Sequence, residues 1–171
     1  MSKSPIFVAV DGGSGNIALR FENEQGELKT HISPALVRRG LLQHGTQESS
    51  TTWRTDEDEI YSVTNDATSI ELVNTCDPEY QLSPANRVLV LNALSRAGLG
   101  GRDVVLADTL PADQYYGDNG INKVRIEAKK NSLLRAVENY SGSAAAPNIK
   151  HVAIYPEAVT AYVSATVMPD G

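Results

Sequence analysis

The stretch VAVDGGSGNIALRF, residues 8–21, constrains this chain more than any other. An apolar run enters a turn of Asp-Gly-Gly-Ser-Gly-Asn and leaves as alternating apolar and polar residues. That is the pattern of one strand folded back on another. Residues 6–10 read as a strand buried on both faces, because apolar side chains follow one another without a break. Ile17, Leu19 and Phe21 alternate with Ala18, Arg20 and Glu22, as in a half-buried strand. A polar turn at 23–26 and a third strand over 27–32 complete an antiparallel meander.

Beyond the meander the pattern changes twice. Residues 38–58 are polar and weakly periodic and read as a loop or flexible hairpin, with Trp53 partly packed. Ile60–Val63 and 69–73 are short strand candidates in the same inserted lobe, which spans about 37–82. Ser83-Pro84 then supplies a helix N-cap and first turn, and Gly98 a C-terminal stop. Val88, Leu89, Leu91 and Leu94 fall near helical spacing between them. A buried strand is expected at 104–107, with a loop at 108–111. A helix follows 119–122 and runs to about Tyr140, with Ile126, Leu133, Leu134 and Val137 on its apolar side. SGSAAAPN at 141–148 reads as a surface connection. A last strand runs through Ile154, and a last helix begins at Pro156. The order predicts an α/β domain whose mixed sheet starts antiparallel and ends parallel, flanked by helices.

Charge and composition exclude several classes. The net charge is −6, and no cluster of Lys and Arg offers a nucleic-acid surface. No apolar run reaches the ~18 residues that span a bilayer, and the N-terminus lacks the pattern of a signal peptide. The lone Cys76 reads as a reduced thiol, which points to the cytoplasm. His44 and His151 are isolated, no set of side chains has zinc-ligand spacing, and no nucleophile elbow is present. The run DEDE at 56–59 reads as an exposed acidic loop. His31 reads as a hydrogen-bonded residue at a strand end.

The glycine-rich turn admits two readings. Gly and Asn supply the positive φ angles that tight hairpins use. The same turn can aim successive backbone N–H groups at an anion, with the Ser14 hydroxyl beside them. It is neither a Walker loop nor a dinucleotide fingerprint, since no Gly-Lys-Ser/Thr ends it and a strand, not a helix, follows. Asp11, at the strand end, is placed to orient water or hydrated Mg²⁺, which keeps most of its water and takes few carboxylates.

Four stretches together resemble one family: VDGGSGNIAL at 10–19, HISPAL at 31–36, TLPADQYYG at 109–117 and NIKHVAIYPEAVTAY at 148–162. In this order they are similar to the ParM/StbA plasmid-segregation family of bacterial actins, over almost the whole chain. The resemblance implies an actin-like ATPase domain of ribonuclease H-like fold, with 1–171 as its N-terminal domain. It implies ATP and Mg²⁺ as cofactors, with Asp11 on the metal through water. Gly12, Gly13, Ser14, Gly15 and Asn16 would wrap the β- and γ-phosphates, and Glu157 in YPEA would position the attacking water. Members of the family often carry a second acid directly after the first, where this chain has Gly12. Lys129 and Lys130 read as a solvated helix face, with a reach toward the nucleotide as the alternative.

The resemblance further implies a filament-forming parent and an adaptor of the ParR type bound to centromere DNA, with no direct contact to nucleic acid or membrane. The second phosphate loop, of the form Asp-x-Gly-Gly-Thr-x-Asp, and a second domain are not among these residues. The chain alone is therefore expected to hydrolyse ATP poorly. A sugar kinase of the same superfamily and a short, non-hydrolysing binding or capping domain are the alternatives.

Overall fold

In the computed structural model, residues 4–41, 51–68 and 71–157 are described. The meander forms as expected: β1 (Ile6–Gly12), β2 (Asn16–Glu22) and β3 (Leu28–Pro34) pair in antiparallel order. Then come β4 (Val37–Arg39), β5 (Thr52–Thr55) and β6 (Ile60–Val63), a 3-10 turn at Pro78–Leu82, and α1 (Pro84–Leu94). β7 (Asp103–Leu110) is followed by a single helical turn, α2 (Ala112–Tyr115). A two-rung ladder of β8 (Tyr116–Gly117) and β9 (Gly120–Ile121) leads into α3 (Lys123–Leu134). β10 (Val137–Asn139) and β11 (Asn148–Pro156) complete the described chain.

Two sheets result. The larger has the order β11-β7-β1-β2-β3, with β1, β7 and β11 parallel. The smaller has the order β10-β5-β6-β4. Its edge strand β10 comes from beyond the 37–82 stretch read from sequence, because α3 stops at Leu134 instead of continuing to Tyr140. Val137 is thus buried as a strand residue against β5, and Leu134 is exposed. Part of the polar stretch 38–58 is strand as well. Thr52 Oγ1 bonds Ser62 Oγ across the β5–β6 pair, and Trp53 is fully buried with its Nε1 donating to Asn92 Oδ1. Of the candidate at 69–73, residues 69–70 lie outside the described set, and Leu72 forms one bridge to Arg38.

α1 explains how the two sheets share one core. Ser83 caps it by accepting from Asn86 N, and every residue from Ala85 to Leu94 is buried. A helix hydrophobic on one side covers a single surface, whereas one buried all round lies between two. α1 touches strands of both sheets. Gly98 takes φ 84° in the π-turn Ser95–Leu99 that ends it, as a C-terminal glycine does.

The continuous apolar run of β1 is buried on one face only. Val8 and Val10 point into the core, while Phe7 is 72% exposed and Ala9 and Asp11 face outward. The outward face of the large sheet has no covering element among the described residues. The helix expected from Pro156 lies outside them from 158 on, and Pro156 itself ends β11.

Candidate functional site

The parallel strands β1, β7 and β11 bring their C-terminal ends to one rim of the large sheet. Asp11 is the penultimate residue of β1, Thr109 that of β7, and Glu157 follows β11. In open α/β sheets this rim is where ligands bind. Asp11, Thr109, Tyr155 and Glu157 line one groove of about 620 Å³ with Ala18 and Arg20 of β2. Glu157 N donates to Leu110 O at 2.8 Å, which fixes that residue to the end of β7. Its carboxyl is held above the ordinary value, first by burial and then by the nearby charge of Asp11.

The turn joining β1 to β2 is held by its carbonyls. Gln81 Nε2 donates to Gly12 O at 2.9 Å, Thr75 Oγ1 to Ser14 O at 2.7 Å, and Ala35 N to Gly15 O at 2.9 Å. The amides of Ser14 and Gly15 have no acceptor among the described residues, and both residues are exposed. Asn16, also exposed, opens β2. The sequence-predicted residues Asp11, Gly12, Gly13, Ser14, Gly15 and Asn16 thus form one rim loop. Asp11 shares the groove of Glu157.

The glycines are not there for the reason a hairpin suggests. None of Gly12, Gly13 or Gly15 takes a positive φ, and neither does Asn16. A Cβ on Gly12 would lie 3.4 Å from Asp108 Oδ1 and 3.8 Å from Lys129 Nζ. One on Gly13 would lie 3.3 Å from Asn16 O, and one on Gly15 would meet nothing within 4 Å.

Beneath the turn lies a charge pair that sequence reasoning missed. Asp108 and Lys129 are each 0% exposed, with Lys129 Nζ 3.1 Å from Asp108 Oδ2. Lys129 Nζ also donates to Gln81 Oε1 at 2.6 Å and Thr109 O at 2.7 Å. Asp108 Oδ1 accepts from Thr109 N at 2.8 Å. Burial pushes the Asp108 carboxyl up, and Lys129 opposes that push. Lys129 is therefore no solvated residue, and Asp108 is strand, not loop. Ile126, Lys129 and Leu133 are spaced three and four apart on α3, so the lysine stands in the row that faces the core. That spacing was the available signal. Lys130, in contrast, is on the outer side and pairs with Glu127 at 2.8 Å.

Other sequence readings are settled here. Asp56 and Glu57 of the acidic run are not a free loop: both meet the buried Arg87 and the exposed Arg135. The buried Nε2 of His31 has no hydrogen-bond partner among the described residues, and burial followed by the charge of Arg96 lowers its pKa. No group of three or more metal-ligating side chains occurs among the described residues. No helix among them is long and apolar enough to cross a membrane.

Known proteins share this fold. An archaeal actin homologue, Ta0583, is similar in structure at TM-score 0.64 and 16% identity, over 97% of this chain and 50% of that one. Bacillus thuringiensis ParM in its apo form follows at TM-score 0.56 and 15% identity, over 95% and 48%. AlfA from a B. subtilis plasmid, solved as a filament, matches at TM-score 0.55 and 11% identity, over 89% and 56%. The chain thus spans about half the length of these proteins, and the likeness shows the actin-like fold. No curated protein matches the sequence. Residues 6–167 match the family described as plasmid segregation protein ParM, N-terminal, and the chain belongs to that family.

Proposed function

We propose that this chain is the N-terminal, nucleotide-site domain, with its inserted lobe, of a cytoplasmic actin-like ATPase that polymerises with ATP to move plasmid DNA. The observation that carries the reading is the rim loop with its carbonyls tied down and its Ser14 and Gly15 amides unpaired. Unpaired amides in a tight turn form a nest for an anion. Gly15 supports the same reading. It has neither a positive φ nor a neighbour within 4 Å to require glycine, whereas a phosphate drawn against the backbone does require it.

The loop of Gly12, Gly13, Ser14, Gly15 and Asn16 would hold the β- and γ-phosphates. The donor set also fits Mg²⁺. Asp11 has no ion pair among the described residues and faces Glu157 across the groove, an excess of negative charge that a hydrated cation neutralises. Bound there, Mg²⁺ would offset the charge of the phosphates. Glu157 would orient the attacking water; burial and the neighbouring charge of Asp11 raise its pKa, which makes it a better proton acceptor than a free carboxylate. Phosphoryl transfer depends on clamping the phosphate from several sides, and this rim supplies one side. The chain by itself would therefore bind ATP weakly and turn it over poorly, with the second jaw on another domain. B. thuringiensis ParM has been solved with ATP, which supports the ligand class. By the family's logic, the filament contacts plasmid DNA through a ParR-type adaptor and not directly.

The test uses the full-length protein and follows sedimentation and phosphate release with ATP. Glu157→Ala is expected to sediment with ATP as the parent does, while releasing phosphate at least about 100-fold more slowly. Unaltered release would remove Glu157 from the mechanism, and no ATP-dependent sedimentation of the parent would refute the filament reading.

A further inference from the structure

Four facts meet under the rim loop. Gly12 lacks a side chain although its φ would accept one. The space a side chain would enter is bounded by Asp108 Oδ1 at 3.4 Å, Asn86 Nδ2 at 3.7 Å and Lys129 Nζ at 3.8 Å from the would-be Cβ. Asp108 and Lys129 are wholly buried, a costly arrangement for two charges. Lys129 reaches the loop through one intermediary, since Gln81 accepts from Nζ and donates to Gly12 O.

We propose that Asp108 supplies from β7 the carboxylate that a side chain at position 12 would otherwise bring, and that through Lys129 and Gln81 it fixes the position of the phosphate loop. Asp108, Lys129 and Gln81 are positioning residues, since none of them needs to touch a nucleotide. The arrangement rests on the reading of the loop as a phosphate site, but its own logic is internal. One ammonium sits where it can serve one carboxylate, and two strands can deliver that carboxylate. Asp108 delivers it here, and a side chain at position 12 would come into contact with it from the first carbon onward. Asn86 points the same way. Among the described residues its Nδ2 makes no hydrogen bond of good geometry, with the Tyr80 hydroxyl as its neighbour, and it lies 3.7 Å from the would-be Cβ of position 12.

The consequence is sign epistasis between two residues 96 positions apart in the chain (108 minus 12). Four proteins test it: the parent chain, Asp108→Ala, Gly12→Asp, and the double variant Gly12→Asp/Asp108→Ala. Amide hydrogen exchange is read at Ala35, whose amide donates to Gly15 O and so reports the position of the loop, and, as an internal reference, in β5 and β6. Asp108→Ala removes the counter-charge of Lys129 and is expected to speed exchange of the Ala35 amide about tenfold more than in the reference strands. Gly12→Asp alone sets two carboxylates against one lysine and is expected to do the same. The double variant, with its acid moved to β1, is expected to return to within about threefold of the parent.

Exchange in the double variant at the product of the two single effects would overturn the proposal. So would acceleration in Asp108→Ala that is equal at Ala35 and in the reference strands, which is the mark of a merely structural residue. If Asp108→Ala does not fold, recovery of a folded protein by Gly12→Asp carries the proposal, and failure to recover it overturns the proposal. Titration of the same proteins with MgATP separates this idea from the phosphate reading. Rescue of exchange without ATP binding in any of them retains the positioning role and removes the nucleotide.

Discussion

The lobe and the rim loop are both built on buried charge, yet one is closed and the other open. In the lobe, Arg87 is 1% exposed on α1 and reaches Asp56 and Glu57 at the start of the acidic run, with Ser132 O as a further acceptor. Arg135 clamps the same carboxylates from outside. Together with the Trp53–Asn92 hydrogen bond, these contacts seal the small sheet onto α1. At the rim loop the buried pair Asp108–Lys129 fastens the carbonyl side, and the amide side remains exposed. Polar groups paired on both sides are closed to a ligand, whereas exposed amides left unpaired keep donors open to one. On the proposed function the molecule carries its stability in one region and its nucleotide site in the other, and substitutions should divide accordingly.

The largest effect should come from the closed region. Trp53→Ala empties a fully buried site and strands Asn92, at a cost of about 3–5 kcal/mol in denaturant unfolding. Arg87→Met should cost less, about 2–3 kcal/mol, because its carboxylate partners are partly exposed and keep Arg135. In both variants the affinity for ATP, measured at a temperature where the protein is folded, should stay within about twofold of the parent. A large loss of affinity in either would break the division.

The reverse pattern is expected at the rim. Asp11→Ala should change unfolding free energy by no more than about 0.5 kcal/mol and still remove the Mg²⁺ dependence of ATP binding. Gly15→Val should be equally neutral in stability, since its side chain would enter open space, and should weaken ATP binding about tenfold by blocking approach to the backbone. Unfolding curves and nucleotide titrations on the same samples check both. Stability and binding falling together would show that the loop is an ordinary hairpin.

The smallest effect concerns pH. His31 is held neutral by burial and by Arg96, so its folded pKa lies below the ordinary 6.5. A depressed pKa contributes stability that is present above the unfolded value and lost as pH falls through the folded one. Unfolding midpoints should thus decline as the pH drops below about 6.5, and His31→Asn should flatten that decline. Parallel pH profiles for the two proteins would show that another group is responsible.

The meander, α1 with its cap and stop, and the order of parallel strands were legible because each depends on local signals. Strand alternation, Ser83-Pro84 and Gly98 act within a few residues of themselves. The Asp11 and Glu157 ends of β1 and β11 were legible through motifs and meet in one groove. Three features were hidden, each for a non-local reason. β10 looks like the tail of α3 until β5, more than 80 residues earlier in the chain, is there to pair with it. The burial of Lys129 depends on Asp108 and Gln81 arriving from other elements, although its place between Ile126 and Leu133 hinted at it. The turn glycines suggested positive φ, but what they leave room for is an aspartate below and open space above. Sequence shows that a glycine is present; only the neighbours show what it makes room for.

The central claim is that the rim loop is a phosphate receptor served by Asp11. Backbone amide shifts of the chain, followed by NMR during titration with MgATP, test it most directly. The account predicts the largest shifts at residues 11–16 and 157, absent from Asp11→Ala under the same conditions. Shifts centred elsewhere, or a loop response that Asp11→Ala leaves intact, would contradict it.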